Sequence, residues 1–327
     1  MTLPAAPVAA STQGAVTVEA VVTGRRDAAE GVVELILAAA DGGPLPDWSP
    51  GAHIDLRLAD GLIRPYSLCG DPAERGSWRI AVLRERAGRG GSEYVHEELA
   101  QGARLAVSAP RNHFELHPAS RYLFVAGGIG ITPLLPMIAR AEAAGTPWTL
   151  LYGGRTRASM AFTEELARHG EKVQVCPQDE HGLLDLPRHL GDVVPGALIY
   201  ACGPEPMLAA VAAAAEHWPQ GSVQCERFTP VDAGEPARSG SFDVVLARSG
   251  LTVTVPPGCS ILEMVERAGV DVLYSCREGT CGTCETDVLQ GRPEHRDSLL
   301  TGQERAANET MFICVSRSLS PTLTLDL

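Results

Sequence analysis

Four cysteines near the carboxyl terminus place the strongest constraint on the fold. Cys276, Cys281 and Cys284 lie within nine positions and Cys314 follows, so the spacing is C-x4-C-x2-C-x29-C. Four thiolates at this spacing are the ligand set of a 2Fe–2S cluster. Zinc is the alternative, but structural zinc sites usually take two C-x2-C pairs, and only one such pair occurs here. The pattern therefore favours an iron–sulfur centre.

Two glycines, Gly279 and Gly282, lie between these cysteines. A loop that wraps around a cluster needs positive φ angles and backbone N–H groups close to sulfur, and side chains would obstruct both. The sequence at 261–300 closely resembles a plant-type ferredoxin domain along nearly its whole length. A one-electron centre of this kind implies an electron donor elsewhere in the chain.

Length and composition narrow the remaining choices. A chain of 327 residues suggests two or three domains, and a formal net charge of -13 argues against nucleic acid or an anionic membrane as the main partner. Residues 1–15 lack the features of a signal peptide, and the sequence has no uncharged apolar run of about 18 residues. We expect a disordered N-terminal tail on a cytoplasmic protein. Nine cysteines, an odd number, do not indicate a disulfide framework.

The rest of the chain divides by pattern. Residues 16–112 contain short β-branched runs separated by Gly, Pro and Asp, which is typical of an antiparallel barrel or sandwich. Residues 113–228 alternate buried strands with helical stretches, as in "RYLFVAGG" followed by "ITPLLPMIARAEAAG", and this predicts a parallel α/β sheet. Residues 229–241 have the composition of a linker. Residues 242–327 are a compact mix of strands with one helix, "SILEMVERAG".

Two elements of the first segment suit a phosphate group. In "RPYS", Arg64 can pair with a phosphate, Tyr66 offers a flat face and the Ser67 hydroxyl can reach the edge of a ring. A second element, "GRGGSEYVHEEL", would begin a helix whose free N–H groups favour an anion, at Gly90, Gly91 and Ser92. Each element alone also fits an ordinary strand edge or a capped helix in solvent, but together they favour a phosphate site.

Two turns of the α/β segment suit a dinucleotide. "FVAGGIGITPLLPM" places three glycines, Gly127, Gly128 and Gly130, between a strand and a helix with Pro133 in its first turn. "YACGPEPM" ends a later strand in the same way, and "SVQCERFTP" closes the segment. A pyrophosphate fits such a glycine-rich turn, although a bare packing turn has the same pattern.

Taken in order, these elements resemble the phthalate dioxygenase reductases and the related vanillate O-demethylase reductases, from about residue 16 to the end of the chain. The resemblance implies an antiparallel β-barrel flavin domain at 16–112, an α/β parallel-sheet NAD(P)H domain at 113–228, a linker at 229–241 and an α+β, β-grasp ferredoxin domain at 242–327. That family uses FMN rather than FAD, and the sequence offers no obvious segment to hold an adenosine tail. The expected cofactors are therefore FMN, a 2Fe–2S cluster and NADH, with NADPH as an alternative.

The resemblance also assigns residues to each cofactor. The residues expected around FMN are Arg64, Tyr66, Ser67, Val82, Gly90, Gly91, Ser92, Thr132 and Phe228. The residues expected around the nicotinamide nucleotide are Gly127, Gly128, Gly130, Ile131, Pro133, Arg155, Cys202, Gly203 and Pro204. The residues expected to shape the contact between nicotinamide and flavin are Ser67, Thr132, Cys202 and Glu226.

In this family a hydride passes from NAD(P)H to flavin N5, and single electrons then pass through the cluster to a separate protein. The expected partner is a Rieske-type aromatic oxygenase or O-demethylase, because this sequence has neither a Rieske pattern nor a facial triad. A haem monooxygenase is an alternative partner. A zinc-stabilised interaction protein without redox function is a second alternative. The family also implies a monomer.

One segment departs from the family pattern. Members that use NADH carry an acidic residue just after the second α/β strand, whereas "YGGRTRASM" offers Arg155 and Arg157 there. A guanidinium at this place can pair with the 2′-phosphate of NADPH. The choice between the two nucleotides therefore stays open at the level of sequence.

Overall fold

The structure is a computed structural model that describes residues 17–86, 88–231 and 233–327. The tail predicted at residues 1–15 lies outside the described residues. Of the helices within them, none is long and apolar enough to cross a membrane.

The first segment forms a six-stranded antiparallel sheet in the order β4-β3-β6-β1-β2-β5. Its elements are β1 (Thr17–Ala29), β2 (Val32–Ala39), β3 (His53–Arg57), β4 (Ile63–Ser67), β5 (Trp78–Leu83), α1 (Gly91–Glu98) and β6 (Arg104–Ser108). A bridge between Leu68 and Ile80 joins the end of β4 to β5, so the two edges meet and the sheet is a closed barrel rather than a sandwich. Alternate residues such as Val33, Leu35 and Leu37 fill its interior and are fully buried.

The second segment forms a five-stranded parallel sheet in the order β11-β10-β7-β8-β9. Its elements are β7 (Arg121–Gly127), α2 (Leu134–Ala143), β8 (Trp148–Gly154), α3 (Thr163–Ala167), β9 (Val173–Pro177), α4 (Gln178–His181), α5 (Leu186–Leu190), β10 (Ala197–Cys202), α6 (Glu205–Ala214) and β11 (Val223–Glu226). The strand order reverses between β7 and β10, and crevices at such points bind ligands in open α/β sheets.

The third segment is a mixed sheet in the order β13-β12-β18-β14-β16, beside a two-stranded ribbon of β15 and β17. Its elements are β12 (Phe242–Leu246), β13 (Leu251–Val255), α7 (Ile261–Arg267), β14 (Glu285–Gln290), β15 (Pro293–Glu294), α8 (Gly302–Ala307), β16 (Thr310–Phe312), β17 (Arg317–Ser318) and β18 (Thr322–Leu325). Ser260 and Glu263 form a capping box that starts α7, and its apolar face packs on the sheet. The three sheets confirm the predicted fold class.

The barrel and the parallel sheet share a buried interface. Cys69 and Ala81 of the barrel belong to the same apolar cluster as Ile131 and Phe162 of the α/β segment. Arg79 crosses this boundary, because its Nη1 lies 2.9 Å from the Glu165 Oε2 atom. The guanidinium also donates to the Cys69 carbonyl oxygen at 3.1 and 2.6 Å.

Some elements differ from the sequence prediction. The chain forms β11 where no strand was predicted, and the ferredoxin-like segment has a second helix, α8. Pro133 takes the N-cap position of α2, after a 3-10 turn at Gly128–Ile131. The position of Pro133 is a boundary effect, whereas β11 and α8 are short elements whose formation depends on tertiary contacts.

Candidate active site

The two elements predicted to suit a phosphate lie together. Gly90 is the N-cap of α1 with φ of 78°, a left-handed conformation that favours glycine. A side chain at Gly91 would come within 2.5 Å of Arg64 Cγ, so the arginine lies against the first turn of the helix. Arg64 Nη2 also donates to the Arg89 carbonyl oxygen at 3.0 Å. A guanidinium beside a helix N-terminus is a combination that binds phosphate, and this geometry fits FMN.

The neighbouring predicted residues have varied environments. Tyr66 is half-buried and burial raises its pKa to about 12, while Ser67 is buried and lies opposite His53 in the β3–β4 register. The Ser92 hydroxyl accepts from the Glu85 N–H at 3.0 Å. The Val82 side chain lies in the barrel core. Their contacts with FMN stay predictions.

Two glycine turns meet at the crevice between β7 and β10. A side chain at Gly130 would lie 2.3 Å from the Cys202 carbonyl oxygen, and one at Gly127 would lie 2.6 Å from Pro204 Cδ. A Cβ at Gly203 would lie 2.9 Å from the backbone of Gly127. The turns predicted from sequence are therefore in direct backbone contact. Together they form a surface that a pyrophosphate can approach closely.

Gly128 is the open position of this surface. Its φ is 54°, and nothing lies within 4 Å of the place where its side chain would be. Ile131 is fully buried, and Thr132 is buried with its hydroxyl donating to the Ile129 carbonyl oxygen at 3.0 Å. Thr132 and Pro133 thus fix the route of the chain from the turn into α2.

Cys202 and Glu226 are the most strongly perturbed groups of the crevice. They pair across β10 and β11, and Cys202 is fully buried. Burial, with Glu226 nearby, raises the pKa of the Cys202 thiol well above its usual value, so the sulfur is a neutral thiol. Burial raises the pKa of Glu226 to about 8, so its carboxyl group holds a proton at neutral pH. The end of the crevice is therefore uncharged. Phe228 follows two residues later and is 41% exposed.

The two arginines after β8 differ in their contacts. Arg157 forms a bidentate ion pair with Glu180, at 3.1 and 2.6 Å. Arg155 is exposed, and within the part of the chain that the structure describes its side chain has no ion pair. Glu180 lies on α4, at the end of the neighbouring strand β9. Sequence reasoning missed Glu180, because the residue lies 23 positions from its partner.

The four cysteines predicted as cluster ligands are buried, and both Cys276 and Cys314 contact two others of the set. Hydrogen bonds from the Cys281 and Cys314 thiols lower the pKa of Cys276, and Cys284 also lies within reach of Cys314. The Glu278 N–H lies 3.3 Å from the Cys276 sulfur, and the Cys276 N–H lies 3.4 Å from the Cys281 sulfur. N–H groups aimed at sulfur, in a loop of three buried thiols with Cys314 beside it, fit an iron–sulfur cluster.

The predicted role of glycine in this loop also has a structural basis. Gly279 and Gly282 have φ of 70° and 76°. A side chain at Gly279 would lie 2.6 Å from Val315 Cγ2, and one at Gly282 would lie 2.3 Å from His113 Nε2. His113 belongs to the segment between the barrel and the parallel sheet. The loop at 275–284, hereafter the cluster loop, therefore packs directly on the flavin side of the molecule.

Two further contacts join the cluster loop to the barrel. Arg89 Nη2 lies 2.6 Å from Glu278 Oε2. The ring of His53 lies with its centroid 6.1 Å from that of His113, and His53 is buried. Sequence reasoning missed His53, Arg89, His113 and Glu278. The contacts join distant parts of the chain, and no local pattern marks the residues that make them.

Two family models match the chain. One, described as a 2Fe-2S iron-sulfur cluster binding domain, covers residues 244–319. The other, described as the N-terminal domain of a dimethylamine monooxygenase subunit DmmA-like protein, covers residues 109–220. The first match contains all four predicted cluster ligands.

The chain is also similar to proteins of known role along most of its length. It is 47% identical over 296 residues to the phenoxybenzoate dioxygenase subunit beta of Ectopseudomonas oleovorans, covering 90% of this chain and 92% of that protein. It resembles the crystal structure of phthalate dioxygenase reductase with a TM-score of 0.69 and 35% identity, over 95% of this chain and 98% of the other.

A third similarity is to part of a larger protein. An intact type IV self-sufficient cytochrome P450 monooxygenase matches with a TM-score of 0.88 and 45% identity, over 95% of this chain. This chain spans only 41% of that protein.

Proposed function

The chain belongs to the family of phthalate dioxygenase and vanillate O-demethylase reductases, and on that premise we propose that its acceptor is a separate Rieske-type oxygenase or O-demethylase acting on an aromatic compound. The predicted role as the oxidoreductase component of an oxygenase system is confirmed by this membership. The predicted cofactors, FMN, a 2Fe–2S cluster and a nicotinamide nucleotide, are confirmed with it. The match at residues 244–319 favours iron–sulfur over the zinc alternative.

One observation carries the proposal: the cluster loop lies against the same part of the barrel that forms the phosphate site, joined by Arg89 and Glu278. Arg64 and the start of α1 would hold FMN, and the bound cofactor would supply the conversion of a two-electron hydride into single electrons for the cluster. A chain that holds both sites in contact is suited to supply an acceptor that takes single electrons.

The proposed roles of the chain's own residues follow from their environments. Arg64 and the start of α1 bind the FMN phosphate, and the turns at 127–130 and 202–204 bind the nucleotide pyrophosphate. Cys202 and protonated Glu226 present an uncharged, dry wall beside the reacting rings. Such a wall positions the rings and excludes water without adding a competing base.

The proposed domain division is the one expected from sequence, with boundaries at 112, 228 and 241. We further propose that the protein acts as a monomer in the cytoplasm. The five cysteines outside the cluster set form no disulfide bond in the structure, which supports a reducing compartment.

A haem monooxygenase is a second candidate acceptor, and one observation favours it. The TM-score of 0.88 to the reductase part of the P450 fusion exceeds the 0.69 to phthalate dioxygenase reductase. This chain is similar to 41% of the fusion, and the haem-containing acceptor is therefore a candidate of the same class as that fusion's monooxygenase.

The test combines cofactor analysis with turnover. Acid extraction of the purified protein should release one FMN per chain, together with two irons and two labile sulfides, and release of FAD would contradict the assignment. NADH should then support substrate oxidation when a purified Rieske oxygenase is added, but not when a P450 is added. The reverse result would select the haem acceptor.

A further inference from the structure

The contact between the cluster loop and the barrel contains one ion pair. Among the residues that the structure describes, Arg89 and Glu278 form the only salt bridge between the barrel and residues 242–327. We call it the docking ion pair. The Arg89 and Glu278 side chains are 51% and 29% exposed, so the pair is partly open to solvent.

Both members of the docking ion pair are attached to a cofactor site. The Arg89 carbonyl oxygen accepts from Arg64, the arginine of the phosphate site, at 3.0 Å. The Glu278 N–H lies 3.3 Å from the sulfur of Cys276, a cluster ligand. Three contacts in series therefore connect the phosphate site to the cluster ligand set.

The same face carries a tight steric contact. Gly282 lies between two cluster ligands, Cys281 and Cys284, and its backbone touches the ring of His113 so closely that a Cβ would lie 2.3 Å from Nε2. His113 and His53 lie side by side, and His53 faces Ser67 across β3 and β4. The ion pair and this close contact therefore both join the cluster loop to the flavin side.

The tether between the two parts is short. Arg227 pairs with Glu205 of α6 at 2.8 Å, which fixes it to the parallel sheet. The Val231 N–H donates to Ser298 Oγ at 2.9 Å, and the Ala237 N–H donates to Glu294 Oε1 at 2.9 Å, so Val231 and Ala237 are each anchored to the ferredoxin-like segment. Only residues 228–230 lie between these anchors. Three residues span at most about 10 Å.

From these contacts we propose that Arg89 and Glu278 are a positioning pair for internal electron transfer: their ion pair sets the orientation in which the cluster loop faces the flavin side. A partly exposed ion pair is weak enough to break and reform. The hinge at 228–230 lets the ferredoxin-like segment rotate while it stays close to the rest of the chain. The role is positional and includes no bond formation and no proton transfer. It rests on the proposed function of the chain as a reductase.

The main variant reverses one charge. Glu278→Arg places two arginines against each other, whereas Asp326→Arg makes the same charge change in an ion pair that lies wholly within the ferredoxin-like segment. In anaerobic stopped-flow experiments on the holoprotein, Glu278→Arg should slow cluster reduction by at least about tenfold, because misplacement of reacting groups is costly. The rate of flavin reduction by NADH should not change.

A second readout does not depend on electron transfer. Small-angle X-ray scattering should show a larger radius of gyration for Glu278→Arg than for the wild type, and no change for Asp326→Arg. High salt should also increase the radius of gyration of the wild type and slow its cluster reduction, because salt screens an exposed ion pair. Glu278→Gln, which keeps the shape of the side chain, should be insensitive to salt.

The decisive variant exchanges the two charges. Arg89→Glu combined with Glu278→Arg, saturated with FMN, should regain compactness and most of the rate of cluster reduction. The proposal is overturned if Glu278→Arg behaves like Asp326→Arg in both readouts, or if the exchange restores neither. Failure of the proposed function is distinguishable, because the wild type itself would then lack NADH-dependent cluster reduction.

Discussion

Cys202 and Glu226 lie opposite each other at the ends of the paired strands β10 and β11. The Cys202 thiol is fully buried. The Oε2 atom of Glu226 has no hydrogen-bond partner within the described residues. An unpaired buried carboxyl oxygen is costly in a folded protein. Because Glu226 lies at the mouth of the predicted nucleotide crevice, we predict that this oxygen faces bound cofactor in the working protein.

Cys202→Ala and Ser67→Ala should each slow flavin reduction by NADH while both cofactors stay bound. If these side chains position the reacting rings, each loss should cost about 1 to 3 kcal/mol in the transition state. Stopped-flow absorbance measures the rate directly. Cys176→Ala, at a buried cysteine of β9 on the opposite edge of the parallel sheet, should have no effect. Flavin reduction at the wild-type rate in all variants would show that Cys202 and Ser67 do not position the reacting rings.

Glu226→Gln should flatten the pH dependence of stability. The folded-state pKa of Glu226 is raised to about 8 by burial, from an ordinary value of 4.5. The stability linked to its bound proton is therefore complete below pH 4.5 and is lost as the pH rises through 8. Urea unfolding between these pH values should show a falling free energy in the wild type. The decrease in the free energy of unfolding with pH should be smaller in Glu226→Gln. It should be unchanged in Glu216→Gln, whose side chain is exposed.

Cys276→Ser should abolish or destabilise the iron–sulfur cluster, because a hydroxyl oxygen is a poor ligand for a site built from thiolates. Iron and labile sulfide analysis measures the loss, and the FMN content should stay near one per chain. Cys259→Ser lies in the same segment but outside the cluster loop, and it should retain both irons. Loss of iron from both variants would point to a folding defect rather than a missing ligand.

NADH should be preferred over NADPH, although moderately. Arg157 forms a bidentate ion pair with Glu180. Of the two arginines, Arg155 is therefore the one whose guanidinium is available to bind a 2′-phosphate. Glu180→Gln should raise kcat/KM for NADPH by releasing Arg157, and Arg155→Asp should lower it, with an artificial electron acceptor in both assays. An NADPH preference above about tenfold in the wild type, roughly 1.4 kcal/mol, would contradict this interpretation.

Arg79→Met should destabilise the contact between the barrel and the parallel sheet. The substitution removes the bidentate ion-pair partner of Glu165. It also removes the two hydrogen bonds that the Arg79 guanidinium donates to the Cys69 carbonyl oxygen. Since these groups are largely but not fully buried, we expect a loss of about 1 to 3 kcal/mol in the free energy of unfolding. Arg84→Met removes a more exposed pair with Glu97 and should cost about 1 kcal/mol or less. If both variants lose the same free energy of unfolding in urea titrations, Arg79 does not stabilise the contact between the barrel and the parallel sheet more than a surface ion pair would.

The sequence predicted the parts of the site that follow from local chemistry. Cysteine spacing marks the cluster ligands, and a glycine turn after a strand marks the crevice, because neighbours in sequence supply each feature. The position of Arg64 at the start of α1 also agrees with the expectation that both elements serve one phosphate.

The contacts between segments could not be predicted in this way. Arg89 and Glu278 are 189 positions apart by their residue numbers, and Arg79 and Glu165 are 86 apart. Each of these residues has the sequence context of an ordinary surface charge. Only the packing of three sheets brings them together, and that packing depends on long-range surface fit rather than on periodicity.

The short span at 228–230 also has a kinetic consequence. A tether of this length holds the two redox sites at an effective concentration on the order of millimolar or above. Electron transfer inside the chain is then first order and does not change on dilution, whereas delivery to the acceptor depends on how often that protein is encountered. In a dilute extract the flux to the acceptor would therefore fall with the concentrations of both proteins, while the step inside the chain would keep its rate.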